Sequence, residues 1–267
     1  MPRVRAGEIE LDYERSGSGP PLLAIMGMSG TSLHWREPFL APLREDFDVI
    51  VYDHRGVGDS SPLQGATSIV ELAQDAAALL DALGIDSAHV LGISMGGMIA
   101  QELALAHPER VRTLTLGCTY SGGEGSSLTS PQVLQRLTEA MMSGEQMLAL
   151  RAAFEANISP AAATDGRLYR ELLAIAAQRA VAVPVIMAQM QACMAHDTSS
   201  RLAQLTMPTL VIHGTADEML PVQNASAIAS RVPGAQLEIL DGAGHLFFWE
   251  QPERSAELIR AHAAVHA

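Results

Sequence analysis

Cysteine is scarce in this chain: only Cys118 and Cys193 occur in 267 residues. They lie far apart and show no Cys-x-x-Cys or Cys/His spacing, so neither a disulfide framework nor a structural metal site is expected, and both read as small buried hydrophobes. Basic residues are also few, with 17 Lys and Arg against 30 Asp and Glu and a formal net charge of −13. Such a chain repels phosphate backbones, and no Lys/Arg-rich run offers a local basic patch, which excludes nucleic-acid binding and disfavours anionic membrane surfaces. The start, Met1 to Glu8, has no apolar stretch of secretory length. The longest weakly polar segment, Ala180 to Ala195, is shorter than the ~20 residues that span a bilayer and carries Pro184, Gln189 and Gln191. A cytoplasmic protein with no membrane partner is therefore expected.

Hydrophobic residues make up 48% of the chain, enough at this length for a sizeable core. Domain-size arithmetic allows either two units or one large α/β unit with an insertion. A hairpin-like stretch (Val4 to Glu14) precedes four strand-length apolar runs: Leu22 to Met26, Phe47 to Asp53, Ala88 to Ile93 and Val111 to Gly117. Their near-continuous hydrophobicity predicts strands covered on both faces. Between them, Ile69 to Leu83 repeats apolar residues with a period near 3.6 and ends at Gly84, while Met95 to His107 reads as a buried helix stopped by Pro108. The series resumes with Thr209 to His213, a helix near Val222 to Val232, Gln236 to Leu240 and a helix from Pro252 to Val265. Strand and helix alternate as in βαβ units on a mostly parallel sheet, with helices on both faces.

The intervening residues 121–205 open with the flexible Ser121-Gly122-Gly123-Glu124-Gly125-Ser126-Ser127 and contain no convincing strand. Four helices are expected there, at about Pro131 to Met142, Glu145 to Ala156, Arg167 to Gln178 and Val181 to Met194. The expected division is a core of residues 1–120 and 206–267 and a helical cap of 121–205. In such folds an insertion of this kind lies above the C-terminal strand ends, where sites form.

Chemistry concentrates at three strand ends. Gly92-Ile93-Ser94-Met95-Gly96-Gly97 places Ser94 on a strand-to-helix turn whose small neighbours prevent crowding, with helix N-terminal N–H groups available to a developing oxyanion. The alternative is a glycine-rich helix start with Ser94 as its N-cap. A serine nucleophile needs a base and an acid to orient it. His245 follows a strand in Asp241-Gly242-Ala243-Gly244-His245, and Asp217 follows another in His213-Gly214-Thr215-Ala216-Asp217. Asp241 and Asp165 are weaker candidates for the acid, the first too near His245 in sequence and the second inside the insertion. The remaining histidines lack shared metal spacing and read as surface or hydrogen-bonded structural residues; the pair His262 and His266, one helical turn apart at the chain end, is expected in solvent.

With these motifs in this order, the chain resembles the α/β-hydrolase superfamily, in its cap-bearing esterase, lactonase and cofactor-free haloperoxidase branch. Asp53-His54-Arg55-Gly56-Val57-Gly58-Asp59-Ser60 resembles the family's Asp-x-Arg-Gly-x-Gly-x-Ser segment, in which Asp53 and Arg55 would brace loops. The resemblance implies a Ser94, Asp217 and His245 triad without metal or cofactor. It also implies an oxyanion hole of the Met28 and Met95 backbone N–H groups, although Met26-Gly27-Met28 stands where the family usually has His-Gly-x.

A methionine-rich insertion suits an adaptable apolar cleft. Gly27, Trp35, Met142, Met187, Met190 and Leu220 are the expected substrate-binding residues, and no Arg or Lys stands ready to clamp a charged group. The expected partner is a small-molecule carboxylic ester or lactone with an apolar acyl part, and self-association into a homo-oligomer is compatible with the sequence. The same triad in related proteins supports peracid formation and carbon–carbon bond hydrolysis, and a receptor that captures a small ligand is the alternative outside enzymology. Haloalkane dehalogenases and epoxide hydrolases place aspartate where this chain has Ser94.

Overall fold

A computed structural model describes residues 2–266. In chain order the elements are β1 (Arg3–Ala6), β2 (Ile9–Gly17), β3 (Pro21–Ile25), α1 (Glu37–Arg44), β4 (Asp48–Tyr52), α2 (Ile69–Ala82), β5 (Ala88–Ile93), α3 (Met95–Ala106) and β6 (Val111–Gly117). There follow α4 (Pro131–Met142), α5 (Gln146–Asn157), α6 (Gly166–Gln178), α7 (Val183–Met194), β7 (Thr209–Gly214), α8 (Gln223–Ala229), β8 (Gln236–Leu240), α9 (Phe247–Glu250) and α10 (Pro252–Val265). The strands form one eight-stranded sheet in the order β1-β2-β4-β3-β5-β6-β7-β8. β1 and β2 are antiparallel; from β3 onward every neighbouring pair runs parallel.

Alternation along each strand splits the core into two layers. Leu23, Ile25, Ile50, Val90, Leu114 and Val211 face α2, α3 and α8, whereas Leu22, Ala24, Val49, Leu91, Leu210 and Ile212 face α1, α9 and α10. All six residues of β5 are buried, as a central strand covered on both sides requires. The edge strand β8 instead exposes most of its residues. α2 begins where the Ser68 hydroxyl caps the Glu71 N–H (3.1 Å) and ends before Gly84, whose φ of +67° suits the left-handed turn after a helix.

One local expectation is corrected, and α1 has no counterpart among the expected elements. α1 contains Pro38 and Pro42, and Phe39, Leu40 and Leu43 seat it on the core. His262 is not in solvent: it is buried, with Nδ1 near Gln236 Oε1 and Nε2 near the Pro208 carbonyl, because α10 lies on the ends of β7 and β8. Only His266 of that pair is exposed.

The helices α4 to α7 lie between β6 and β7 in sequence and rest on the loops that leave the C-terminal ends of the strands. Thr129 donates to the Met219 carbonyl (2.5 Å), Arg136 pairs with Glu218 (2.8 Å) and the Ser159 hydroxyl donates to Glu250 (2.5 Å). Arg179, just past α6, bridges the fully buried Asp12 (3.0 Å) and Asp53 (2.5 Å). The chain has no lysine, and all 17 basic residues are arginines, whose planar fork suits such buried pairing. Among the described residues no single helix is long and apolar enough to cross a membrane; α6 and α7 reach that composition only together, bent by 112°.

Candidate active site

Ser94 occupies the turn from β5 into α3 at φ 55° and ψ −121°, a left-handed conformation unusual for a residue with a side chain. The turn closes only because its neighbours are glycines. A Cβ on Gly92 would lie 2.2 Å from the Gly96 carbonyl oxygen, and one on Gly96 would lie 2.0 Å from the Ile25 carbonyl oxygen. The Gly97 and Met98 N–H groups donate to the Ser94 carbonyl (2.9 and 3.2 Å) and start the helix. Ser94 makes no side-chain capping bond to this helix, so the N-cap alternative loses its purpose. The Met95 N–H belongs to the first helical turn, which has no intrahelical acceptor. On the other side, Gly27 packs against Ser94, with an added Cβ only 3.1 Å from the serine Cβ and 3.7 Å from its Oγ. Met28 follows at once and is partly buried.

The loops after β7 and β8 bring Asp217 and His245 together. His245 Nδ1 donates to Asp217 Oδ2 at 2.8 Å, and both side chains are buried. The other oxygen, Oδ1, accepts the Met219 and Leu220 N–H groups at 2.8 and 2.9 Å. Burial alone would raise the Asp217 pKa, but the His245 charge and the hydrogen bonds from His213 and His245 hold the carboxyl well below the usual range. Burial likewise opposes a charge on His245, yet the Asp217 carboxylate outweighs it and lifts the imidazole well above its ordinary value of 6.5.

Two further residues join this group. His213 Nε2 lies 2.9 Å from Asp217 Oδ2 and 2.8 Å from the Leu220 carbonyl; both neighbours are acceptors, so this nitrogen carries the proton. His213 thus stands as a hydrogen-bonded structural histidine whose partner is Asp217. Cys118, just past β6 at φ 38°, is fully buried with its thiol against His245 and the Ser94 backbone. Burial pushes that thiol up, while His245 lowers it in part. Cys118 therefore sits between the serine turn and the histidine loop rather than in a remote core. A ligating atom from each of Cys118, Asp217 and His245 lies within 4.8 Å of the others. A thiophilic cation accepts such donors, but it would compete with the proton His245 shares with Asp217.

The expected substrate-binding residues divide. Gly27 touches Ser94, and Leu220 lies on the acid loop, where its N–H and carbonyl serve Asp217 and His213. Met187 and Met190 on α7 are 40% and 36% exposed. Met142 is 81% exposed at the end of α4 and faces solvent instead of an enclosed wall. Trp35 is corrected as well: it is fully buried and packed against Phe39 and Phe248, with ring centroids 5.7 and 5.2 Å away, so it belongs to the core beneath α1 and α9. Asp53 and Arg55 brace loops. Asp53 Oδ1 accepts the Ser32 N–H at 2.6 Å, and Arg55 forks onto Asp75 with two bonds of 2.6 Å. Of the other acids considered, Asp241 accepts from the Thr215 hydroxyl (3.2 Å) and Asp165 caps α6.

Comparison with known proteins bears on the fold that carries this site. The alpha/beta hydrolase fold family matches residues 20–174 and 189–252. A protein of Azorhizobium caulinodans named "Putative carbamate hydrolase RutD" is 33% identical over 97% of each chain. An esterase from Rhodococcus sp. ECU1013 superposes with a TM-score of 0.85 at 26% identity, covering 99% of this chain and 98% of its own. An N-acyl homoserine lactone degrading enzyme superposes at 0.80 with 29% identity, over 97% of this chain and 99% of its own.

Proposed function

The chain belongs to the α/β-hydrolase family, and within that family we propose that it is a serine hydrolase that cleaves carboxylic esters or lactones through an acyl-enzyme. The observation that carries the proposal is the buried His245–Asp217 hydrogen bond of 2.8 Å, joined through Cys118 to the turn that holds Ser94 at φ 55°. Ser94 attacks the carbonyl carbon as its proton passes to His245, and Asp217 holds the imidazole and balances the imidazolium that forms. The Met28 and Met95 N–H groups donate to the oxyanion. His245 then gives its proton to the leaving alkoxide, and water, activated by the same imidazole, releases the acid. Residues 121–205 serve as the cap, with Met187 and Met190 lining an apolar acyl site.

A carbamate is the second reading, favoured by the 33% identity to a relative named for that activity. The same steps apply to it, since a carbamate also presents a carbonyl with a leaving group. A panel of p-nitrophenyl esters of graded chain length, lactones and alkyl carbamates, assayed with the wild type and Ser94→Ala, separates the two. Turnover of esters or lactones that vanishes in Ser94→Ala supports the proposal; turnover confined to carbamates moves the substrate class to the second reading.

A further inference from the structure

Gln189 lies on α7 and is only 1% exposed, although it is a polar residue on a helix of the insertion. Its Oε1 accepts the Ser29 backbone N–H at 2.9 Å, across 160 residues of chain. Ser29 directly follows Met28, and it holds the left-handed φ of 58°, which a serine adopts only when its surroundings impose it. Bonding to an N–H fixes which end of the amide is oxygen, and the Nε2 that remains has no hydrogen-bond partner among the described residues. A leucine or methionine would fill that place without burying an unpaired donor, so the glutamine is held there by its one bond to Ser29.

The same loop is held a second time from the insertion. Arg179 bonds the fully buried Asp53, whose other oxygen accepts the Ser32 N–H at 2.6 Å. Within the loop, Gly30 N–H donates to the Gly27 carbonyl (3.2 Å), and Gly27 rests on Ser94. Residues 27–32 are thus pinned to the core by Asp53 and to α7 by Gln189, with Met28 between Gly27 and the tethered Ser29.

We infer that Gln189 is a positioning residue for the oxyanion hole: by holding Ser29 in its left-handed conformation it aims the preceding Met28 N–H at the oxygen of the carbonyl that Ser94 attacks. The hole is then built in part by the insertion, and it is complete only when α7 lies on the loop. This inference rests on the ester-hydrolase reading above. It assigns Gln189 an effect on the transition state, where the oxyanion exists, and little effect on binding of the neutral substrate.

The test compares Gln189→Met, which keeps the shape and loses the acceptor, with Gln189→Glu, which keeps an oxygen for the Ser29 N–H. The readouts are kcat and KM on p-nitrophenyl butyrate and hydrogen exchange at the Ser29 amide. Gln189→Met is expected to lose about 10- to 100-fold in kcat with KM within about twofold, somewhat less than loss of a whole oxyanion donor. Its Ser29 amide exchanges faster, and Gln189→Glu recovers most of both losses. A kcat for Gln189→Met equal to wild type, a loss confined to KM, or a Gln189→Glu variant no better than Gln189→Met overturns the inference. Should the wild type turn over no ester, the ester reading fails and exchange decides: faster Ser29 exchange in Gln189→Met upholds the tether, and unchanged exchange overturns it.

Discussion

His213 and His245 share one oxygen of Asp217: Nε2 of the first lies 2.9 Å and Nδ1 of the second 2.8 Å from Oδ2. A buried carboxylate oxygen with two histidine donors, whose partner oxygen takes two backbone N–H groups, has no freedom to rotate. Any base held by Asp217 inherits that fixed position. His213→Leu is therefore expected to lower kcat by misplacing Asp217 and to cost about 1–3 kcal/mol of stability through the unpaired acceptors. Steady-state kinetics and denaturant unfolding of the variant check both.

The raised pKa of His245 sets the direction of the pH profile. A general base must be neutral, so kcat/KM is expected to climb along a limb centred above the ordinary histidine value of 6.5. The stability linkage has a definite sign. A histidine raised by folding contributes stability that is fully present below its unfolded pKa and is lost as pH rises through the folded one. Asp217, lowered by folding, contributes stability that is present above its unfolded pKa and is lost as pH falls through the folded one. Thermal unfolding between pH 5 and 10 is expected to show a falling Tm on the alkaline side. A limb at or below 6.5 contradicts the assigned shift.

Both thiols are expected to resist alkylation in the native protein. Burial pushes Cys118 up and Cys193 up to about 12, so neither supplies appreciable thiolate at neutral pH. Iodoacetamide at pH 7.5 should label neither in the folded state and both in guanidinium, as intact mass spectrometry reports. Ready labelling of Cys118 without loss of fold contradicts its enclosed position.

Arg179→Met is expected to destabilise strongly, because it leaves Asp12 and Asp53, both fully buried, without the cation between them. Breaking a buried pair from one side costs about 3–5 kcal/mol, read as a drop in unfolding midpoint. A variant as stable as the wild type contradicts the bridge.

Sequence legibility follows the range of each signal. β5 and β6 are readable to the residue because central strands of a two-layered core leave near-continuous apolar runs, whereas β8 and α10 are read from alternation or helical spacing with Gly234, Gly242 and Pro252 at their bounds. The strand-end turns that carry Ser94, Asp217 and His245 are readable because such tight turns demand glycines in fixed positions. Cys118 carries no such signal: a single cysteine after a strand looks like core, and only the folding of β6 beside β7 sets it against His245. Trp35 misleads for the opposite reason. An aromatic two turns past a glycine-rich loop looks like a pocket wall, but Phe39 and Phe248, one of them 213 residues away in sequence, enclose it. His213 was visible within its motif; its bond to Asp217 required the curl of the acid loop. Gln189 is legible only as a polar interruption of an apolar helix, since its partner Ser29 comes from the far end of the chain.

The central claim, that Ser94 is the nucleophile of a hydrolase, is tested most directly by reaction with a fluorophosphonate followed by peptide mass spectrometry. The account predicts one adduct on wild type, located at Ser94, formed in step with loss of ester turnover, and no adduct on Ser94→Ala. Adduct formation at another residue, or undiminished turnover in Ser94→Ala, would contradict it.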